Sequence, residues 1–140
     1  MIALIIGTHG RFSTELLKSS EMIFGDQLNV DTITFLPGEG TEDLVEKYNN
    51  SLKKLDVKDG VLFLVDLFGG SPFNAASMIA MEKENMEVVT GVNLPMLLEV
   101  FASRESVKLS ELAGVALNAG KEAVRKLVKE NSDSLEEDEL

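Results

Sequence analysis

A doubly wound α/β fold around a parallel sheet is predicted by three features of the sequence. Two apolar runs, Ile2–Ile6 and Gly60–Val65, lack polar alternation, as strands buried on both faces do. Short β-rich runs and longer amphipathic stretches then alternate along the chain as βαβαβαβα. Each apolar run leads into a glycine-containing turn, GTHG at 7–10 and DLFGGSP at 66–72, the punctuation expected where a strand gives way to a helix.

The first strand lies in Met1–Gly10, where Gly7 and Gly10 bracket Thr8 and His9 and free the backbone for a tight turn. A helix is predicted from about Arg11 to Phe24 on the spacing of Phe12, Leu16, Leu17, Ile23 and Phe24, with Gly25 as its stop. Val30–Leu36 alternates partly and reads as a second strand near an edge, closed by Pro37-Gly38. Thr41 is read as the N-cap of a helix whose apolar stripe is Leu44, Val45, Tyr48, Leu52 and Leu55. Gly60–Val65, the most apolar strand, is expected at the centre of the sheet. Ser71 as N-cap and Pro72 at the first helical position start a third helix. Its body, Phe73–Glu82, is apolar almost all round and is expected to be largely buried. Met78, Met81 and Met96 read as core filler. Glu87–Val92 is a fourth strand, Pro95–Ser103 a helix, and Leu109–Ala119 another, stopped at Gly120. Lys121–Lys129 stays open, because Val124, Leu127 and Val128 lie at helical spacing and local propensity favours helix.

At 140 residues the chain suits one domain. The formal charge of −11 argues against a nucleic-acid partner. Six acids and no base fall in Glu130–Leu140, read as a solvated, disordered tail, which leaves a body of 13 bases against 18 acids. That mild acidity suits a basic protein partner. No apolar run approaches a membrane span, and no basic leader precedes the first one. With no cysteine, disulfides and thiolate–metal sites are excluded, and one histidine makes a transition-metal site unexpected. A cytoplasmic protein is expected.

In the flavodoxin-like strand order 2-1-3-4 the first and third strands are neighbours, so His9 and Asp66 meet at the topological switch point. A neutral imidazole is a nucleophile. A carboxylate can hold its other ring N–H and fix the tautomer. The glycine-rich turn before Ser71 runs into a helix N-terminus, whose free N–H groups and dipole suit phosphate. Together these describe a histidine that accepts a phosphoryl group and passes it on. Plainer readings stand beside this one. Asp66 can be a loop residue or local cap, and Gly69-Gly70-Ser71-Pro72 plain helix-start chemistry. Ser71, His9 and Asp66 can also be arranged as a hydrolase triad, although the G-x-S-x-G elbow is missing. A regulatory phospho-acceptor module is a further alternative. Neither a dinucleotide fingerprint nor a P-loop occurs, and no cofactor is expected.

GTHG at 7–10, PGE at 37–39, VLFLVDLFGGSPFNAA at 61–76 and GVNLPML at 91–97 resemble the EIIA component of the mannose-family phosphoenolpyruvate-dependent sugar phosphotransferase systems (PTS). The motifs stand in that family's order, and the resemblance covers about Met1–Lys129. It implies an EIIA domain over 1–129, followed by the acidic tail 130–140. It implies that His9 takes a phosphoryl group from phospho-HPr and gives it to a histidine of an EIIB component. EIIB then phosphorylates the sugar as the membrane components import it, so the membrane is met only indirectly. Asp66 is implied to orient His9, and Ser71 and the backbone around Gly70 to hold phosphate oxygens. The family forms homodimers in which a C-terminal strand crosses to the partner's sheet, antiparallel to it. Lys121–Lys129 aligns with that strand, against its helical preference. Many relatives continue through a linker into a fused EIIB domain, whereas this chain runs into an acidic tail, so a separate EIIB polypeptide is expected. The EIIA-like subunit of phosphoenolpyruvate-dependent dihydroxyacetone kinase is a close alternative. GVNLPML and the single-domain length favour the sugar system.

Overall fold

The computed structural model of the protein describes residues 1–129, so the acidic tail expected at 130–140 lies outside the described residues. Among the described residues, four strands alternate with five helices. The strands are β1 (Ala3–His9), β2 (Val30–Phe35), β3 (Val61–Val65) and β4 (Met86–Thr90). The helices are α1 (Phe12–Phe24), α2 (Thr41–Lys54), α3 (Ser71–Ala80), α4 (Leu94–Ser103) and α5 (Leu109–Glu122). All strand pairs are parallel, in the order β2-β1-β3-β4, as predicted.

The two unbroken apolar runs occupy the centre because both of their faces are covered. On one face Ile2, Leu4, Ile6, Leu62 and Leu64 pack under α1, α4 and α5, around Leu16, Leu97 and Leu112. On the other, Ala3, Ile5, Phe63 and Val65 pack under α2 and α3, around Leu44, Tyr48 and Ala75. Successive side chains of a strand point to opposite faces, so Thr8 falls on the α1 side and His9 on the α2/α3 side. Thr8 Oγ1 accepts the Ser13 N–H at 2.7 Å and so steers the chain into α1. At the other end of the sheet the buried Arg104 guanidinium donates to the carbonyls of Ile2, Leu28 and Asn29, closing the strand starts.

Several local expectations shift. Gly7 lies inside β1 rather than in a turn, and Gly10, at φ +58°, is the residue that turns the chain. The caps of α2 and α3 are Gly40 and Gly70, so Thr41 and Ser71 are the first helical residues and not N-caps. In both places a glycine precedes the hydroxyl residue, and glycine is itself an acceptable N-cap. Asp43 compensates at α2 by accepting the Gly40 N–H at 2.7 Å. Helix α1 buries Ser13, Leu16 and Ser20, and leaves Phe12 and Ile23 exposed. Helix α3 is not buried all round: Pro72, Ala75 and Ala76 face the core, while Met78 and Met81 are exposed and only Met96 fills core space.

Helix α5 runs past Gly120 to Glu122. Gly120 is a packing residue, since a Cβ there would lie 2.6 Å from Met96 Cε of α4. Its carbonyl accepts from Asn93 Nδ2 at 3.1 Å, while Asn93 Oδ1 caps α4 through the Met96 N–H at 3.0 Å. Beyond α5, residues 123–129 form neither the strand implied by the resemblance nor the helix favoured by propensity. Val124 and Leu127 are exposed there. The segment pairs with neither edge strand of its own sheet, and a short helix without a packing face is marginal in water.

Candidate functional site

The carboxyl ends of β1 and β3 bring His9 and Asp66 together, as the predicted strand order requires. His9 Nδ1 lies 2.9 Å from Asp66 Oδ2, and the same oxygen accepts the His9 backbone N–H at 3.0 Å. Asp66 Oδ1 accepts the Leu67 N–H at 3.1 Å. An ionised carboxylate only accepts, so this geometry assigns the imidazole proton to Nδ1 and leaves Nε2 with its lone pair. The His9 side chain is 46% exposed and that of Asp66 only 15%. The carboxylate is thus shielded behind an imidazole that reaches solvent.

Gly70 comes against the ring. A Cβ on Gly70 would lie 2.9 Å from His9 Cε1 and 3.6 Å from Nε2. Any other residue would crowd the space beside Nε2, whereas glycine lets the α3 N-terminus approach it. Ser71 opens that helix, and among the described residues its hydroxyl makes no hydrogen bond, to His9 or to any other group. A hydrolase triad would need a Ser71–His9 hydrogen bond, and none is formed among the described residues.

Two neighbours of the site, Phe35 and Tyr48, and a brace in the loop after β2 carry no local sequence signal for these roles. Phe35 ends β2 in register with His9, and the two rings meet 5.6 Å apart at 77°. The pairing register is the signal that carries it. Tyr48, read only as part of an apolar stripe, is fully buried beneath the site and donates to the Pro72 carbonyl of α3 at 2.9 Å. Burial above all, and secondarily the charge of Asp66, pushes the Tyr48 phenol pKa well up. Glu39 of the PGE segment braces the loop after β2. It accepts the Leu36 N–H at 2.7 Å and meets Lys47 Nζ at 2.8 Å. The Lys47 hydrogen bond, then that of Leu36, hold its carboxyl below the usual range.

Comparison with known proteins agrees with this architecture. A family model described as PTS system fructose IIA component (EIIA-man) matches residues 3–116. The chain is 53% identical over 127 residues to the PTS system mannose-specific EIIAB component of Escherichia coli (strain K12), covering 90% of this chain and 39% of that protein. It thus spans well under half the length of that relative. It is 47% identical over 112 residues to the PTS system fructose-specific EIIA component of Bacillus subtilis (strain 168), covering 80% of this chain and 77% of the relative. Among solved structures, the mannose/sorbose specific IIA subunit from Enterococcus faecalis superposes with a TM-score of 0.84 at 30% identity, over 93% of this chain and 97% of that one. On the family model and the match that covers 77% of the Bacillus relative, the chain belongs to the EIIA-man family of phosphotransferase-system IIA components.

Proposed function

We propose that this protein is a phosphoryl relay of a sugar phosphotransferase system, with His9 Nε2 as the atom that carries the phosphoryl group. The observation that carries the reading is the His9 Nδ1–Asp66 Oδ2 hydrogen bond of 2.9 Å, which leaves Nε2 as the nucleophile. The donor is phospho-HPr. Its P–N bond breaks as a bond forms between phosphorus and His9 Nε2, while the Nδ1 proton stays in the hydrogen bond to Asp66. The imidazole becomes positively charged at that moment, and the carboxylate stabilises the charge. Transfer to a histidine of an EIIB component reverses these steps.

The phosphoryl oxygens lie toward the start of α3, where the N–H groups after Gly70 and the positive end of the helix dipole favour an anion. The open backbone at Gly70 and the unengaged Ser71 hydroxyl support this assignment. The reading carries with it a cytoplasmic location and a membrane contact only through other components. Among the described residues, no helix is long and apolar enough to cross a membrane. A homodimer is part of the same proposal, and its support is twofold: the edge of β4 is unpaired, and the 124–129 segment with Val124, Leu127 and Val128 is exposed.

Incubation with phosphoenolpyruvate, Enzyme I and HPr, followed by mass spectrometry, tests the reading. One acid-labile, base-stable phosphate is expected on His9, lost in His9→Ala and in His9→Gln while the fold is kept. Labelling that survives either substitution would overturn it. Subsequent discharge to a purified EIIB separates a relay from a purely regulatory acceptor.

A further inference from the structure

Residues in register on neighbouring parallel strands project to the same face of the sheet, about 4.8 Å apart. His9 and Phe35 are such a pair. Just beyond them the two strands stay joined by a short antiparallel bridge. Gly10 N–H donates to the Phe35 carbonyl at 2.8 Å, and Phe35 N–H donates to the Gly10 carbonyl at 3.3 Å. The positive φ of Gly10 makes this reversal possible. The Phe35 backbone is therefore fixed at the position of His9 and just after it. Its ring meets the imidazole nearly edge to face, at 5.6 Å and 77°, within the favourable range for such pairs.

A histidine χ2 is an sp³–sp² torsion with broad wells. Asp66 fixes the ring at Nδ1 alone. Gly70 brings backbone but no side chain against the Cε1 edge of the ring. A second wall is needed to hold the direction of Nε2 while the ring changes charge, and Phe35 is the side chain in place to provide it.

We propose that Phe35 is a positioning residue for phosphoryl transfer, holding the His9 imidazole in the orientation that aims Nε2 at the phosphoryl site. The inference rests on His9 being the acceptor. Phe35 meets the imidazole as a ring neighbour, at a centroid separation of 5.6 Å, and acts on the transfer only through that ring. The bland alternative is that Phe35, packed against the α2/α3-side core, only fills space.

Phe35→Leu and Phe35→Tyr separate the two. Leucine keeps an apolar side chain for the core and removes the aromatic wall, while tyrosine keeps the wall. Because the chain has one histidine, the NMR order parameter of its ring carbons is read without overlap and without any phosphorylation. In Phe35→Leu the ring order parameter is expected to fall. The transfer rate of the folded protein is expected to drop about 2- to 13-fold, the span of an aromatic pair's contribution. The HPr concentration for half-maximal rate should stay unchanged, and Phe35→Tyr should restore both ring order and rate. An unchanged order parameter in Phe35→Leu overturns the proposal, as does a rate loss fully explained by unfolded protein or one that tyrosine does not repair. A wild-type chain that takes up no phosphate sinks the acceptor reading itself, and the ring order parameter still judges the clamp.

Discussion

The Tyr48 hydroxyl occupies the space that a side chain on Gly7 would fill, for a Cβ at Gly7 would lie 2.0 Å from its oxygen and 2.9 Å from Cζ. Gly7 is two residues before His9 on the same face of β1, and Tyr48 reaches from α2 under the sheet to the Pro72 carbonyl of α3. The pair thus sets the distance between the strand that presents the imidazole and the helix start beside it.

Gly7→Ala should therefore destabilise by at least the usual overpacking cost, about 1–3 kcal/mol. Tyr48→Phe alone should cost about 1–3 kcal/mol, because the Pro72 carbonyl loses its donor in a buried place. Combined, the two should cost less than their sum, since phenylalanine removes the atom that clashes hardest with the alanine. Denaturant melts of the three variants check this, and strict additivity would contradict the contact.

Tyr48 also makes a pH prediction. Its folded pKa is raised above the ordinary value of 10.0, so the neutral phenol stabilises the fold fully below that pH. Stability is lost as pH rises above it, because the unfolded chain releases the proton first, at a slope of up to about 1.4 kcal/mol per pH unit. The chain has one tyrosine and no tryptophan, so tyrosinate absorbance follows this residue alone. It should emerge together with unfolding; tyrosinate formed in the still-folded protein would refute the burial argument.

Much of the site was legible because its chemistry is local in sequence. The β1 and β3 runs are apolar on both faces, and strand order alone then joins His9 to Asp66, although 57 residues separate them. All four motifs that carry the family resemblance fall at the carboxyl ends of the four strands, the end where His9 stands. What stayed illegible depends on neighbours distant in the chain. Gly7 was read as a turn because Tyr48 could not be seen beneath it, and Gly120 as a stop because Met96 could not be seen against it. Thr41 and Ser71 were each read as caps because a preceding glycine leaves no side-chain signal of its own. Met78 and Met81 look like core residues by type, and only the placement of α3 on the outer side of β3 and β4 exposes them.

Asp66→Asn should leave the fold intact and slow phosphoryl transfer by about 10²–10⁴-fold, the usual worth of an orienting or acid–base group. An amide presents a donor as readily as an acceptor. It can hold the wrong tautomer of His9 and brings no charge to stabilise the imidazolium. A transfer rate within about threefold of wild type would show that Asp66 is not the orienting group.

The proposed dimer is tested at the β4 edge. β4 is an outer strand with one side unpaired, and such an edge is normally blunted or covered. Along it runs a groove of ≈ 590 Å³ whose lining includes Phe73, Met81, Met86 and Val88. On the α5-facing side of the strand, Glu87 Oε2 is buried without a hydrogen-bond partner among the described residues. The 124–129 segment offers what is missing there: apolar Val124, Leu127 and Val128, and the bases Arg125, Lys126 and Lys129. In an extended strand Arg125, Leu127 and Lys129 share one face. A second copy's segment laid antiparallel on β4 would pair the edge, cover the groove and bring a base to Glu87. Opposite charges facing each other across strands contribute about 0.2–1 kcal/mol. Truncation after Lys129 should therefore leave a dimer. Truncation after Ala123, which retains all of α5, should give monomers or aggregates. Glu87→Lys, which sets like charges against each other, should shift the equilibrium toward monomer. Analytical ultracentrifugation of these three proteins and of the full-length chain decides the matter, and a well-folded full-length monomer at micromolar concentration would rule out the exchange.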